Sequence, residues 1–307
     1  MTEQTELQAL NTRIVEQLTG APGPGALPVA AVRRAREEGR SVFGPIHRFD
    51  RASDETLATP LGEIPVRVIR PTGATRGVYL HFHGGGWALG GPDHQDPRLV
   101  RLADATGQVV ISVGYRLAPE HPYPAGPDDC EAAALAVIGR ASADHGSDRI
   151  TIGGESAGAH LAVVTALRLR DRHGFTGLRA ANLLYGVFDL AVTPGARSFG
   201  SGPQVLTTDS IRWFVDQFAP GLDVSSPDLS PVHADLVGMP PAIFTVGTND
   251  PLLDDTLAME RRWRSSGIDT ALQVFQDAPH AFDAFDVAAS RRALDAIEEF
   301  LSQRLGA

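Results

Sequence analysis

Apolar residues recur at two spacings along this chain, and the spacing separates helices from strands. Leu7, Leu10, Ile14 and Leu18 fall on one side of a 3.6-residue repeat, which predicts an N-terminal helix. The stretch Ala21 to Pro28 (APGPGALP) breaks it, and a second helix is expected from Val29 to Glu38, stopped by Gly39. Ile64-Pro65-Val66-Arg67-Val68-Ile69 alternates as a half-exposed strand does, and its expected partner is the segment Ile46 to Phe49. Short apolar runs follow: Gly77 to Phe82, Gln108 to Val113, Arg149 to Ile152, Ala181 to Tyr185, Ala242 to Val246 and Ala271 to Phe275. Runs this brief and continuous suit strands covered on both faces. Helical stripes lie between them, one through Cys130, Ala134, Val137, Ile138 and Ala141, another through Ala293, Leu294, Ile297, Phe300 and Leu301. A third helix is bracketed by Asp254 and Gly267, with Asp254 and Asp255 read as first-turn charges. Strand and helix in alternation predict an α/β protein with a doubly wound, mainly parallel sheet.

The alternation lapses between Leu190 and Pro220. TPGARSFGSGP reads as irregular, followed by a helix from Thr208 or Asp209 with Ile211, Phe214, Val215 and Phe218 on one side. A helix inserted beyond the end of a strand makes a natural lid, expected here to pack on the N-terminal helices. The expected division is a helical cap segment over 1–45, an α/β core over 46–189 and 223–307, and a cap insertion over 190–222. Composition narrows the function. With 43% hydrophobic and 21% charged residues the chain is globular rather than disordered. Its formal net charge of -10 argues against nucleic-acid and anionic-membrane partners. Cys130, the single cysteine, excludes an intrachain disulfide framework and a cysteine-based metal cluster. The N-terminal MTEQTELQAL lacks the pattern of a secretory signal, and no window reaches the roughly 18 apolar residues of a membrane span. A soluble cytoplasmic protein is expected.

The chemistry-bearing residues sit where strands hand over to helices. Gly154-Glu155-Ser156-Ala157-Gly158 follows the apolar run Ile150-Thr151-Ile152 and opens a helix containing Leu161 to Val164. That is the context of a nucleophile elbow, a turn too tight for side chains two residues either side of the serine. His83-Gly84-Gly85-Gly86-Trp87 follows another strand, and its consecutive glycines expose backbone N–H groups. Together with the Ala157 N–H, those of Gly84, Gly85 or Gly86 could receive the oxyanion of a tetrahedral intermediate. A phosphate loop would want Lys then Ser or Thr after its last glycine, and none follows. Four histidines lie beyond Ser156. His160 is one turn into the same helix, pointing away from the loop face; His173 is at that helix's far end, and His233 precedes the Pro240-Pro241 lead-in. His280 follows the last apolar run, where a base belongs. The orienting acid is then Asp250, just past Val246 at the carboxyl end of its strand.

His83 to Gly86, Tyr115 to Ala125 (YRLAPEHPYPA), Gly154 to Gly158, Asp250-Pro251-Leu252 and Pro279-His280 stand in an order that resembles the hormone-sensitive lipase-like branch of the α/β-hydrolases, from about Val78 to the C-terminus. The resemblance implies an eight-stranded, mostly parallel sheet with a helical cap, and carboxylic-ester hydrolysis without cofactor or metal. It carries over Ser156 as nucleophile, Asp250 and His280 as relay partners, and the glycine-loop and Ala157 amides as oxyanion hole. Four positions depart from the pattern. Glu155 stands where Asp or Thr is usual, Ala159 and Ala281 where Gly is frequent, and Gly114 where Asp often precedes the Tyr-Arg-Leu segment.

Around these, Trp87 and Phe214 read as pocket walls, His81 as a hydrogen-bonded sheet residue, and Cys130 as core. Glu155 and His83 read as supports behind the site. Glu120 reads as an anchor of the glycine loop near His83, or as a simple cap. The expected function is a serine esterase acting on short- to medium-chain esters through an acyl-enzyme. A metabolite-specific deacetylase, an amidase or peptidase with the same triad, and a non-catalytic small-molecule receptor are the alternatives. A homodimer through the last strand of the sheet is a further expectation.

Overall fold

The computed structural model describes residues 2–306. Eight strands form one sheet in the order β1-β2-β4-β3-β5-β6-β7-β8. They are β1 (Ala52–Thr59), β2 (Gly62–Ile69), β3 (Gly77–Phe82), β4 (Gln108–Val113), β5 (Ile150–Glu155), β6 (Ala181–Leu184), β7 (Ala242–Asn249) and β8 (Thr270–Pro279). Only β2 runs against its neighbours β1 and β4; the remaining pairings, β4 to β8, are parallel. Strands β3, β4, β5 and β6 are buried along their whole length, which is why their sequences are apolar without alternation.

Each central strand divides its side chains between two cores. Val78, Leu80 and Phe82 of β3 and Val109, Ile111 and Val113 of β4 face one core; Tyr79 and Val110 face the other. The first is closed by α4 (Ala125–His145), α5 (Ala157–His173) and α8 (Leu253–Ser265). The second is closed by α1 (Glu3–Leu18), α3 (Asp96–Thr106) and α9 (Ala288–Leu305). The face of α1 read from the sequence buries Leu7, Leu10 and Ile14 against β8 and α9. Helix α2 (Val29–Glu37) follows the predicted break.

Two expectations about local structure are corrected. The partner of β2 is not Ile46 to Phe49 but the polar segment Ala52–Thr59, joined to it by a tight hairpin with Thr59 opposite Gly62. An edge strand pairs through its backbone, so ASDETLAT needs no apolar alternation to belong to the sheet. The 46–49 segment is instead pinned by side chains: the Phe49 N–H donates to Asp96, and its carbonyl accepts from Arg67. Within TPGARSFGSGP, read as irregular, Pro194–Phe199 forms the short helix α6. Thr193 caps it by accepting the Ala196 N–H, and Pro194 at the first position needs no hydrogen-bond acceptor.

Helix α7 (Thr208–Phe218) begins where predicted, with Thr207 and Ser210 exchanging side-chain and backbone bonds as a capping box. It buries Ile211, Val215 and Phe218. Its Trp213 indole rests on the N-terminal loop, 2.9 Å from where a Cβ on Gly25 would stand. The start of the insertion is tied to α8 by the two acids read as first-turn charges. Asp254 accepts the Gly195 N–H. Asp255 is buried and accepts the N–H groups of Phe188 and Asp189 and the Thr193 hydroxyl. Burial outweighs those three donors and pushes its carboxyl up to about 7.

A carboxyl whose folded pKa is raised holds its proton better folded than unfolded. The contribution of Asp255 to stability is therefore greatest below the ordinary carboxyl value near 4 and declines as pH rises to about 7. Asp255→Asn keeps an acceptor for both amides and has no charge to bury. Its unfolding free energy from urea titration should gain on the parent's across that window, by at most about 1.4 kcal/mol per pH unit. A gap between the two proteins that stays constant with pH would refute the linkage.

Candidate active site

The carboxyl ends of β3, β5, β7 and the loop after β8 meet above the sheet. Ser156 sits between β5 and α5 with φ 55° and ψ -119°, a backbone conformation that costs a non-glycine residue about 1–3 kcal/mol. Close packing enforces it. A Cβ at 158 would lie 1.9 Å from the Phe82 carbonyl oxygen, and one at 154 would lie 2.2 Å from the same atom. Glycine at both positions lets the end of β3 press directly on the turn.

The other side chains converge there. His280 Nε2 is 3.1 Å from Ser156 Oγ. Its Nδ1–H donates to Asp250 Oδ2 at 2.9 Å, while Asp250 Oδ1 accepts the Leu252 N–H. Asp250 and His280 are both buried, at 3% and 7% exposure, so this chain of bonds meets little competing water. Ala281 takes the left-handed conformation at φ 60°. The structure thus brings Ser156, His280 and Asp250 together. His173 is bonded to Glu131, remote in sequence from the elbow. His160, expected to point away from the loop, turns toward it: Trp87 Nε1 donates to its Nδ1, and its Nε2–H donates to the Leu229 carbonyl. Burial holds His160 at about 4, a neutral ring that fixes Trp87 against Phe218.

The glycine loop departs from expectation at its first residue. Gly84 N–H donates to Glu155 Oε1 at 2.7 Å, so it is not available to an oxyanion. Among the described residues, the loop and side-chain hydrogen bonds use neither the Gly85 nor the Gly86 N–H. Both have positive φ, and Gly86 lies under the Phe214 ring, where a Cβ would come within 2.2 Å of Cδ1. His83 is buried and held near 4 by desolvation; its neutral ring donates from Nδ1 to the Gly84 carbonyl and stacks on Tyr115. Glu120 does not approach His83. It holds Arg33 of α2 through two hydrogen bonds, and Arg33 in turn donates to the carbonyls of Ala88 and Ala118. An N-terminal arginine that lies far from Glu120 in sequence thus links it to the backbone at Ala88 and Ala118.

Beside Ser156 lies a small, half-open hollow of about 30 Å³, walled by Gly86, Trp87, Val187, Leu206, Ile211 and Phe214. A larger, open cleft of about 560 Å³ between α1 and the ends of β7 and β8 is lined by Asn11, Asn249 and Asp277 and includes neither Ser156 nor His280. Sequence reading missed three groups behind the site: the partly buried Arg98 and the buried Asp283 and Tyr185. Asp283 lies only three residues after His280, but nothing in its surroundings in the chain distinguishes it. No helix among the described residues is long and apolar enough to cross a membrane.

If the Phe82 contact dictates the elbow, Gly158→Ala should destabilise the protein by at least about 2 kcal/mol, since a backbone carbonyl cannot swing aside as a side chain can. A urea midpoint equal to the parent's would show that β3 and the turn can part freely.

Residues 79–284 match the family model described as the alpha/beta hydrolase fold. The carboxylesterase NlhH of Mycobacterium tuberculosis is 37% identical over 236 residues, 73% of either chain. An ethyl acetate hydrolase of Pseudomonas putida is 31% identical over 84% of either chain. The crystal structure of an esterase from the bacterial hormone-sensitive lipase family superposes over the whole of both chains, with a TM-score of 0.85 and 29% identity. With an eight-stranded sheet, a strained serine turn and these relatives, the chain belongs to the α/β-hydrolase family, in its hormone-sensitive lipase-like branch.

Proposed function

We propose that Ser156 is the nucleophile of this enzyme, His280 its general base and Asp250 the group that orients the imidazole. The protein is a carboxylic ester hydrolase, as its relatives named as esterases are. The observation that carries the assignment of roles is the continuous bonding from Ser156 Oγ through His280 to Asp250. Ser156 Oγ attacks the ester carbonyl carbon and its proton passes to His280 Nε2. Asp250 stabilises the resulting imidazolium across the 2.9 Å bond to Nδ1. The carbonyl oxygen becomes an oxyanion received by the N–H groups of Gly85, Gly86 and Ala157, at the positive end of α5. Collapse of the tetrahedral intermediate breaks the bond to the alcohol oxygen, which takes the proton from His280. Water, deprotonated by the same nitrogen, then attacks the acyl-enzyme. The carboxylic acid leaves as Ser156 recovers its proton.

The acyl group belongs in the hollow beside Ser156. At about 30 Å³ it suits an acetyl or propionyl chain, and a longer one requires Phe214 or Leu206 to move. The short end of the expected range is therefore favoured, in keeping with a relative named for ethyl acetate. On p-nitrophenyl esters of increasing length, kcat/KM should be highest for acetate and propionate and at least about tenfold lower at decanoate; each unfilled or misfitting methylene is worth about 1–3 kcal/mol. A profile that climbs to decanoate would refute the pocket reading. Ser156→Ala should lower kcat by about 10³-fold or more with the fold retained, and near-parental turnover in that variant would end the assignment.

A second copy of the chain is proposed to cover the far edge of the sheet. Strand β8 is its last member, and Leu272 and Val274 stand 40% and 44% exposed on it. Light scattering should give twice the chain mass for the parent and a smaller mass for Leu272→Glu/Val274→Glu. A parent that is monomeric at tens of micromolar would exclude the dimer.

A further inference from the structure

Behind the elbow runs a buried chain of charge that the hydrolytic steps above leave unused. Glu155 Oε1 holds the Gly84 N–H, and Oε2 accepts from His81 Nε2–H at 2.9 Å and from Arg98 Nη2 at 2.5 Å. The other arm of Arg98 donates to Asp283 Oδ2 at 2.6 Å. Asp283 Oδ1 accepts the Tyr185 hydroxyl, and the Tyr185 ring stands edge-on to the His280 imidazole with centroids 4.7 Å apart. The charged side chains are shut away from water, Glu155 at 5%, Arg98 at 11% and Asp283 at 2% exposure. His81, neutralised by burial, accepts from the Ser112 hydroxyl on its second nitrogen. One cation therefore serves two carboxylates, and each carboxylate leads to a different half of the site.

Two further details fit that division of labour. Glu155 spans the distance between the Gly84 amide and Arg98. An aspartate there would withdraw its carboxylate by one carbon–carbon bond, about 1.5 Å, enough to break the 2.7 Å contact to Gly84 if the backbone stays in place. Tyr185 has φ 35°, a strained conformation for an aromatic residue, kept while its N–H bonds to Thr245 and its hydroxyl to Asp283. Strain of this kind persists only where the surroundings over-determine it, and here they aim the ring at His280.

Resting on the assignment of Ser156 and His280 above, we propose that Arg98 is a positioning residue: by bridging Glu155 and Asp283, one guanidinium sets both the glycine loop, through Gly84, and the imidazole of His280, through Tyr185. Arg98 touches no reacting atom. Its fork of donors meets two carboxylates in fixed directions, which a lysine ammonium cannot reproduce. Displacing either half by a fraction of an ångström affects the transition state, where the oxyanion and the imidazolium form, more than it affects binding of the neutral ester.

The experiment measures kcat and KM for p-nitrophenyl acetate, with melting curves to verify folding. Arg98→Met should lower kcat about 10- to 100-fold with KM within about twofold, and Arg98→Lys should recover part of the loss. Glu155→Gln and Asp283→Asn, near-isosteric changes at the two ends, should each lower kcat, and their combination should fall well short of the product of the two effects. In the Arg98→Met background the same pair should multiply independently. A folded Arg98→Met with kcat within twofold of the parent overturns the proposal. So do Glu155→Gln and Asp283→Asn effects that multiply independently with Arg98 present, a result obtainable even if Arg98→Met fails to fold. Retained activity in Ser156→Ala would sink the assignment of the nucleophile, whereas these outcomes bear on Arg98 alone.

Discussion

The contact on which the site depends is between two pieces of backbone. The Phe82 carbonyl at the end of β3 presses on the turn that carries Ser156, so closely that a Cβ at 154 or 158 would overlap it. Because β3 and β5 are neighbours in parallel register, with Phe82 opposite Gly154, the pressure falls at one level across the sheet. That level also carries the start of the glycine loop and the first turn of α5. Loop and nucleophile are thus placed by the same hydrogen-bonded strands, and neither can shift without disturbing the pairing that buries both strands.

Electrostatics finishes what packing begins. The interior behind the site holds two carboxylates, one guanidinium and several histidines, a combination that would be costly if any partner were missing. Desolvation keeps His81, His83 and His160 neutral, so each can donate from one nitrogen and accept on the other or stack flat on a neighbour. Glu155 stays ionised against its own burial because Arg98 and His81 face it and the Gly84 N–H points at it. Asp255 is the opposite case, a buried carboxyl with dipolar partners and no cation, and it is pushed the other way. The guanidinium of Arg98 is the largest favourable influence that Glu155 has and Asp255 lacks.

Local pattern made the scaffold readable. The apolar runs of β3 to β7 and the stripes of α4 and α9 survive translation into structure because a strand buried on both faces tolerates little else; the run of β8 instead lies on a half-exposed edge. The elbow and glycine loop were legible because tight turns and close backbone approaches admit glycine and almost nothing else. The misreadings have a common cause. Segment 52–59 joins the sheet through main-chain bonds that leave no apolar signature, and α6 is too short to show periodicity. Glu120 was assigned to the nearest motif in sequence, whereas its partner is Arg33 in a helix far earlier in the chain. Gly84 is interchangeable with Gly85 and Gly86 in sequence, and only the Glu155 side chain on its N–H sets it apart.

By itself, the sequence determined which elements form, where the chain turns sharply, and which residues bear a hydroxyl, an imidazole or a carboxylate at the ends of strands. These are short-range properties, governed by backbone sterics and hydrophobic periodicity within a few residues. The tertiary structure alone decided which amide of the glycine loop is already engaged, how small a hollow Phe214 leaves beside Ser156, and that Arg98 joins the elbow to the loop of His280. Those depend on distances between groups tens to hundreds of residues apart, and hydrogen bonds and ion pairs act over only a few ångströms, so no reading along the chain can supply them.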